Sequence, residues 1–177
     1  MSRVRLRQAT PADAELLETW QQPEFVGEFN RFGLPARPLR AAIRQTGLVG
    51  DDRGTLIVEV VEGRKPIGSV SWHPAVYGPN VESRAWNIGI NLIPEARGHG
   101  YGGEAQRLLA DHLLATTDAN RIEAMTDVEN QAEQRALEKA GFRREGVLYG
   151  AQFRGGGWHD LVVFSFVRPA EPTMRRR

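Results

Sequence analysis

Arg97-Gly98-His99-Gly100-Tyr101-Gly102-Gly103 carries the clearest chemistry in this 177-residue chain. Four glycines fall within the six positions 98–103. The stretch follows the apolar run Trp86 to Ile93 and opens a helical pattern from Glu104 to Leu114. The first amides of a helix lack partners within it, and the helix dipole favours negative charge there. Glycines leave those amides open to a ligand, so the stretch is a ready site for a phosphate. The Arg97 guanidinium adds a permanent cation suited to the same anion.

Two ligand readings compete for this loop. Gly98-x-Gly100-x-x-Gly103 fits the dinucleotide fingerprint, with Glu123 near the offset of its acidic residue. That fingerprint follows its strand tightly inside a βαβ unit. Here Pro94-Glu95-Ala96-Arg97 intervenes, the upstream segments read as antiparallel hairpins, and too little chain follows for a second nucleotide-binding half. The other reading is Arg-x-x-Gly-x-Gly, with Arg97, Gly100 and Gly102 in the fixed places. It resembles the acyl-CoA pyrophosphate loop of the GNAT superfamily of N-acetyltransferases. The resemblance continues through the strand-like Arg121-Ile122-Glu123-Ala124 and the helix from Asn130 to Gly141-Phe142, with its Glu-Lys-x-Gly-Phe ending. Arg144-Glu145-Gly146-Val147 and Trp158-His159-Asp160 resemble the closing strands of the RimJ/RimL branch. Together these matches span Leu6 to Phe166.

The resemblance implies acetyl transfer from acetyl-CoA to a primary amine, on a protein N-terminus or a small molecule, with no metal. The backbone of Gly98, His99, Gly100, Tyr101, Gly102 and Gly103 would receive the pyrophosphate, and Leu92 and Ile93 would pair with the pantetheine arm as a strand does. Asn130 would hydrogen-bond the pantetheine, and Arg135 and Lys139 would reach the nucleotide phosphates. Plainer roles stand beside these. Asn130 suits an N-cap with Glu133 as the third residue of its capping box. Lys139 suits the C-terminal end of a helix. Tyr101 suits packing.

Catalysis requires orientation, removal of an amine proton and stabilisation of an oxyanion. Here the chain departs from the family pattern. Asn87 stands where many relatives carry a glutamate, Gln152 aligns with a second one, and Glu133 aligns with a serine acid of the RimL-like branch. An amide is no base, so the proton-transfer candidates become Glu133, Glu82, His73 and His159. Loss of the glutamates leans towards a weakly basic acceptor such as an α-amine, or towards a catalytically silent acyl-CoA-binding module. Phe25 to Arg37 is expected on the acceptor side. Acids there are few, Glu28 within it and Glu24 just before it, which disfavours a polycation.

The elements that must position these residues are a single domain over 1–168, with 169–177 as a disordered basic tail. Strands are expected at Val4–Arg7, Leu56–Val61, Ile67–Trp72, Ser83–Leu92, Ile122–Asp127, Phe142–Tyr149 and Leu161–Phe166. A helix starts at the Thr10-Pro11-Ala12-Asp13 capping box and runs to Trp20. Further helices follow at Pro38–Gln45, at Glu104–Leu114 and at Gln131–Lys139. On the third, Ala105, Leu108, Leu109, His112 and Leu113 form one apolar stripe that buries His112. The expected fold is α/β, a GNAT-like mixed, mostly antiparallel sheet of about seven strands flanked by about four helices.

Composition sets the outer limits. Lys and Arg total 23 against 22 Asp and Glu, so no basic surface announces nucleic acid or membrane. Cysteine is absent, which excludes disulfides, thiolate metal sites and a Cys nucleophile. No secretory leader pattern or bilayer-spanning apolar run is visible, so a cytoplasmic protein is expected. A homodimer stays open.

Overall fold

The computed structural model describes residues 2–169, so the basic tail expected from 169 lies, from residue 170 on, outside the described residues. Seven strands form one sheet: β1 (Val4–Arg7), β2 (Gly54–Val60), β3 (Lys65–Val76), β4 (Arg84–Leu92), β5 (Arg121–Asp127), β6 (Arg143–Arg154) and β7 (Gly157–Val167). Their spatial order is β1-β2-β3-β4-β5-β7-β6. Every neighbouring pair is antiparallel except β4 and β5. Four helices accompany it among the described residues: α1 (Ala14–Thr19), α2 (Arg40–Thr46), α3 (Tyr101–Thr116) and α4 (Gln131–Lys139). This is the expected single-domain α/β architecture.

Local chemistry sets the helix starts. Asp13 takes the Thr10 N–H at 2.8 Å and the Thr10 hydroxyl at 2.7 Å, so the capping box forms at a short 3-10 turn leading into α1. The same carboxylate holds Arg7, which also reaches Glu59, tying α1 to β1 and β2. α2 ends at Gly47 in the left-handed conformation.

The closing hairpin is longer than the pattern indicates. Gly155 and Gly156, at φ +59° and +86°, form a two-residue turn between Arg154 and Gly157. The register of β6 slips between Leu148 and Gln152, where the Gly150 N–H donates to Asp160 at 2.7 Å. That bulge breaks the alternation that would have marked the strand.

α3 lies on the sheet face carrying Trp86 and Ile90. The Trp86 indole donates to Thr117 at 3.1 Å, and a side chain at Gly102 would begin 3.8 Å from Ile90 and Leu92. Its buried stripe is Ala105, Gln106, Leu109, Ala110 and Leu113. His112 is exposed, contrary to the expected burial, because the stripe turns towards Gln106 and Ala110. α4 meets α3 closely: a Cβ at Gly103 would fall 3.0 Å from the Ala136 carbonyl oxygen. Gly103 therefore serves helix–helix approach as well as the loop.

Candidate functional site

The parallel seam of the sheet is short. β4 and β5 pair only from Trp86–Ile122 to Ile88–Ala124. Beyond it β4 runs on to Leu92 and β5 to Asp127 without pairing, so the strands part. A groove of about 1040 Å³ occupies the opening. Ile90, Asn91 and Leu92 form one wall, and Asn130, Glu133 and Ala136 of α4 another. The glycine loop closes one end and residues 27–30 a further side.

At the loop end Gly98, Gly100, Gly102 and Gly103 line the groove. The amides of Gly98 to Gly103 donate to no acceptor among the described residues. Gly98 and Gly100 sit at φ +79° and +83°, a conformation that glycine adopts without strain. A side chain at Gly98 would meet nothing within 4 Å, so a ligand has open approach. Arg135 and Lys139 line the same groove. These residues fit a phosphorylated donor. Arg3, which no local pattern marks, joins them from 101 residues away. Its backbone N–H and Nε donate to Glu104 at 2.9 and 2.7 Å, and its guanidinium stacks on Tyr101 at 5.0 Å.

Several of the expected ligand residues make contacts of their own within the chain. Arg97 spends its guanidinium on backbone: Nε donates to the Leu92 carbonyl at 2.9 Å and Nη2 to the Phe25 carbonyl at 2.6 Å. Ile93 is buried and its N–H donates to Ile67 at 3.0 Å, so it has no free amide to offer a pantetheine arm. Leu92 lines the groove, but its carbonyl is already taken by Arg97. His99 and Tyr101 pack ring to ring at 5.9 Å, and neither side chain lines the groove.

Asn130 caps α4. Its Oδ1 accepts the Glu133 N–H at 3.2 Å and its Nδ2 donates to Thr126 at 2.9 Å, while its side chain also faces the groove. The capping box is only half formed, because the Asn130 N–H donates to the Asp127 carbonyl instead of to Glu133. Glu133 lines the groove. Burial pushes its pKa up to about 7, only partly offset by a hydrogen bond from Gln106.

The remaining proton-transfer candidates lie elsewhere. Glu82 is exposed in the turn before β4, and His73 is exposed on β3 opposite Asn87. Neither lines the groove. His159 has both ring nitrogens engaged: Nε2 with the Arg154 carbonyl at 3.1 Å, and Nδ1 beside Arg154 and Asp127 at 3.2 and 3.1 Å. Gln152 accepts from Arg154 at 3.1 Å. Glu133 is thus the one sequence-derived proton-transfer candidate on the groove wall.

Known proteins agree with this architecture. The family description "Acetyltransferase (GNAT) domain" matches residues 3–143. The chain is 27% identical over 173 residues to an uncharacterized N-acetyltransferase, YoaA, of Bacillus subtilis, with 96% of each chain covered. Its fold is similar to that of RimL, a ribosomal L7/L12 alpha-N-protein acetyltransferase solved with coenzyme A, at TM-score 0.73 and 18% identity over 94% of this chain and 95% of that one. It is equally similar to a spermidine N-acetyltransferase from Vibrio cholerae solved with CoA and spermine, at TM-score 0.73 and 18% identity over 94% and 96% of the chains. No helix among the described residues is long and apolar enough to cross a membrane. With that match over most of its length, the chain belongs to the GNAT family and is an acetyl-CoA-dependent N-acetyltransferase.

Proposed function

We propose that this enzyme is a RimJ/RimL-like acetyltransferase whose acceptor is an α-amine, on a protein N-terminus or a small molecule. The carrying observation is Glu133, a carboxyl in the groove wall with its pKa raised to about 7 beside the capped start of α4. The bare amides of Gly98 to Gly103 hold the donor's pyrophosphate, with Arg135 and Lys139 near the nucleotide phosphates. The groove wall past Ile88, unpaired by β5, orients the thioester arm. As the amine nitrogen bonds to the acetyl carbon and the carbon–sulfur bond breaks, Glu133 gives its proton to the departing sulfur and is reprotonated from solvent. The amine enters neutral and loses its proton to water. An α-amine, with a pKa near 8, needs less help in that step than a lysine.

The scarcity of acid supports an α-amine over a polyamine. Of the carboxylates on the groove, Glu104 is paired with Arg3, and Glu133, with its pKa raised to about 7, is about half protonated at neutral pH. Glu28 alone remains in the segment beside the mouth. The test is a mass-shift screen with acetyl-CoA against serine- and alanine-initiated peptides, small amino-acid conjugates, aminoglycosides and spermidine. Acetylation of a free N-terminus in preference to spermidine supports the proposal. Preference for spermidine overturns the acceptor, and tight acetyl-CoA binding with no transfer to any amine overturns the enzymatic reading.

A further inference from the structure

Two arginines hold one segment of chain over the groove from opposite sides of the parted strands. Arg97, just beyond β4, donates Nη2 to the Phe25 carbonyl at 2.6 Å and Nε to the end of β4. A side chain at Gly27 would begin 3.9 Å from its Cζ, so the segment lies against the guanidinium. Arg154, at the end of β6, donates Nη1 to the Phe29 carbonyl at 3.0 Å and stacks over the Phe29 ring at 5.3 Å. Arg154 is itself buried and is fixed by Asp127 of β5, whose carboxylate accepts Nη2 at 2.6 Å and is also buried. Gly27, Glu28, Phe29 and Asn30 of the suspended segment line the groove.

We infer that Arg97 and Arg154 are positioning residues for the acceptor: they suspend residues 25–30 across the opening between β4 and β5, and so set the acceptor side of the groove. Arg97 in this role is a backbone anchor and not a phosphate ligand. The inference rests on the acetyltransferase reading of the groove. Its physical basis is the cost of the alternatives. A guanidinium that leaves two carbonyls for a phosphate gives those exposed carbonyls to water and frees the segment. Arg154 has no such freedom, because its departure would leave the buried Asp127 carboxylate without its guanidinium, held only by the Glu129 N–H and the His159 ring. Each anchor donates to a carbonyl, so the segment is held mainly by its backbone, with the Phe29 ring stacked on Arg154 as a side-chain contact.

The test uses the full chain with Arg97→Met, Arg154→Met and, because a lone Arg154→Met takes the guanidinium from Asp127, the double variant Asp127→Asn/Arg154→Met. Three measurements are made: CoA affinity by calorimetry, amide exchange at Val26 and Asn30, and acetyl-transfer kinetics with a serine-initiated peptide as the probe amine. Those two amides are hydrogen-bonded locally, to the carbonyls of Gln22 and Gly27. The expected result for both anchors is exchange at these amides faster by about tenfold or more. Peptide KM rises by about tenfold, with kcat and CoA affinity each within about threefold of the parent. A purely structural weakening would move kcat and CoA affinity as well. If Arg97→Met weakens CoA by about tenfold or more while exchange stays at the parent rate, Arg97 is a phosphate ligand and the inference falls. If the peptide is no substrate for the parent, the acceptor proposal fails, and the exchange and calorimetry results still decide the role of the anchors.

Discussion

The Nδ2 of Asn87 donates to Oε1 of Glu123 at 3.3 Å, across one of the three rungs that join β4 to β5. Glu123 is fully buried, and its other oxygen accepts from Arg121 at 3.0 Å and from the Tyr77 hydroxyl. This pairing accounts for the missing family glutamate at 87: a carboxylate there would face Glu123 directly across the ladder, and like charges so placed are destabilising. We expect Asn87→Glu to cost about 1–3 kcal/mol in urea unfolding. Adding Glu123→Gln should recover most of that loss. A single variant as stable as the parent would remove this explanation.

Glu133 sets a pH dependence with a definite sign. Its raised pKa means that the folded protein prefers the protonated carboxyl, so this group's contribution to stability is present below about pH 4.5 and is lost as pH rises through about 7. As an acid towards sulfur it makes kcat fall above about pH 7. Glu133→Gln should melt near the parent temperature, since the capping contact uses the Glu133 backbone N–H, and it should lower kcat by roughly 10²-fold with that pH limb gone. Release of free thiol follows turnover without background, because the chain has no cysteine. An unchanged kcat would end the catalytic role.

The glycine loop is tested by ligand-linked melting. Acetyl-CoA at 100 times its Kd adds about 2.7 kcal/mol to stability, and NADH should add nothing. Gly100→Val forces a β-branched residue into φ +83° beside Arg3. It should weaken CoA by roughly tenfold or more while the variant still folds. A folded variant with parental affinity would leave the loop only a helix start.

Acid unfolding should begin at the α1 cap. Arg7 and Thr10 hold the Asp13 carboxyl down at about 2, mainly through the Arg7 hydrogen bonds. A depressed acid contributes stability above its unfolded value of 3.8 that is lost as pH falls from there through about 2. Arg7→Met should flatten this part of the pH–stability curve. An unaltered curve between pH 4 and 2 would assign acid unfolding to other groups, such as Glu145 held by Arg121.

What was legible in the sequence was local. The glycine loop, the Thr10–Asp13 box and the Asn130 cap each depend on residues within a few positions, and all three form. The contact of Arg97 with the Phe25 carbonyl was not legible, because the two residues lie 72 positions apart. Arg154 and Asp127 are joined across 27 residues, by the register of β7 between their strands. His112 fell on the wrong side because Gln106, a polar residue, belongs to the buried stripe and shifts its phase. The reach of β6 to Arg154 was hidden by the bulge at Gly150, which interrupts the period-two pattern.

The three-rung seam gives the molecule a natural line of separation. Strands β1 to β4 with α3 precede Asp118, and β5 to β7 with α4 follow it. A chain cut between Asp118 and Ala119 yields two pieces, each bringing its own half-sheet and one wall of the groove. A donor lying along the opening acts as an added rung between them. The pieces should therefore reassemble far better with acetyl-CoA than without it, which would turn this fold into a ligand-dependent split reporter.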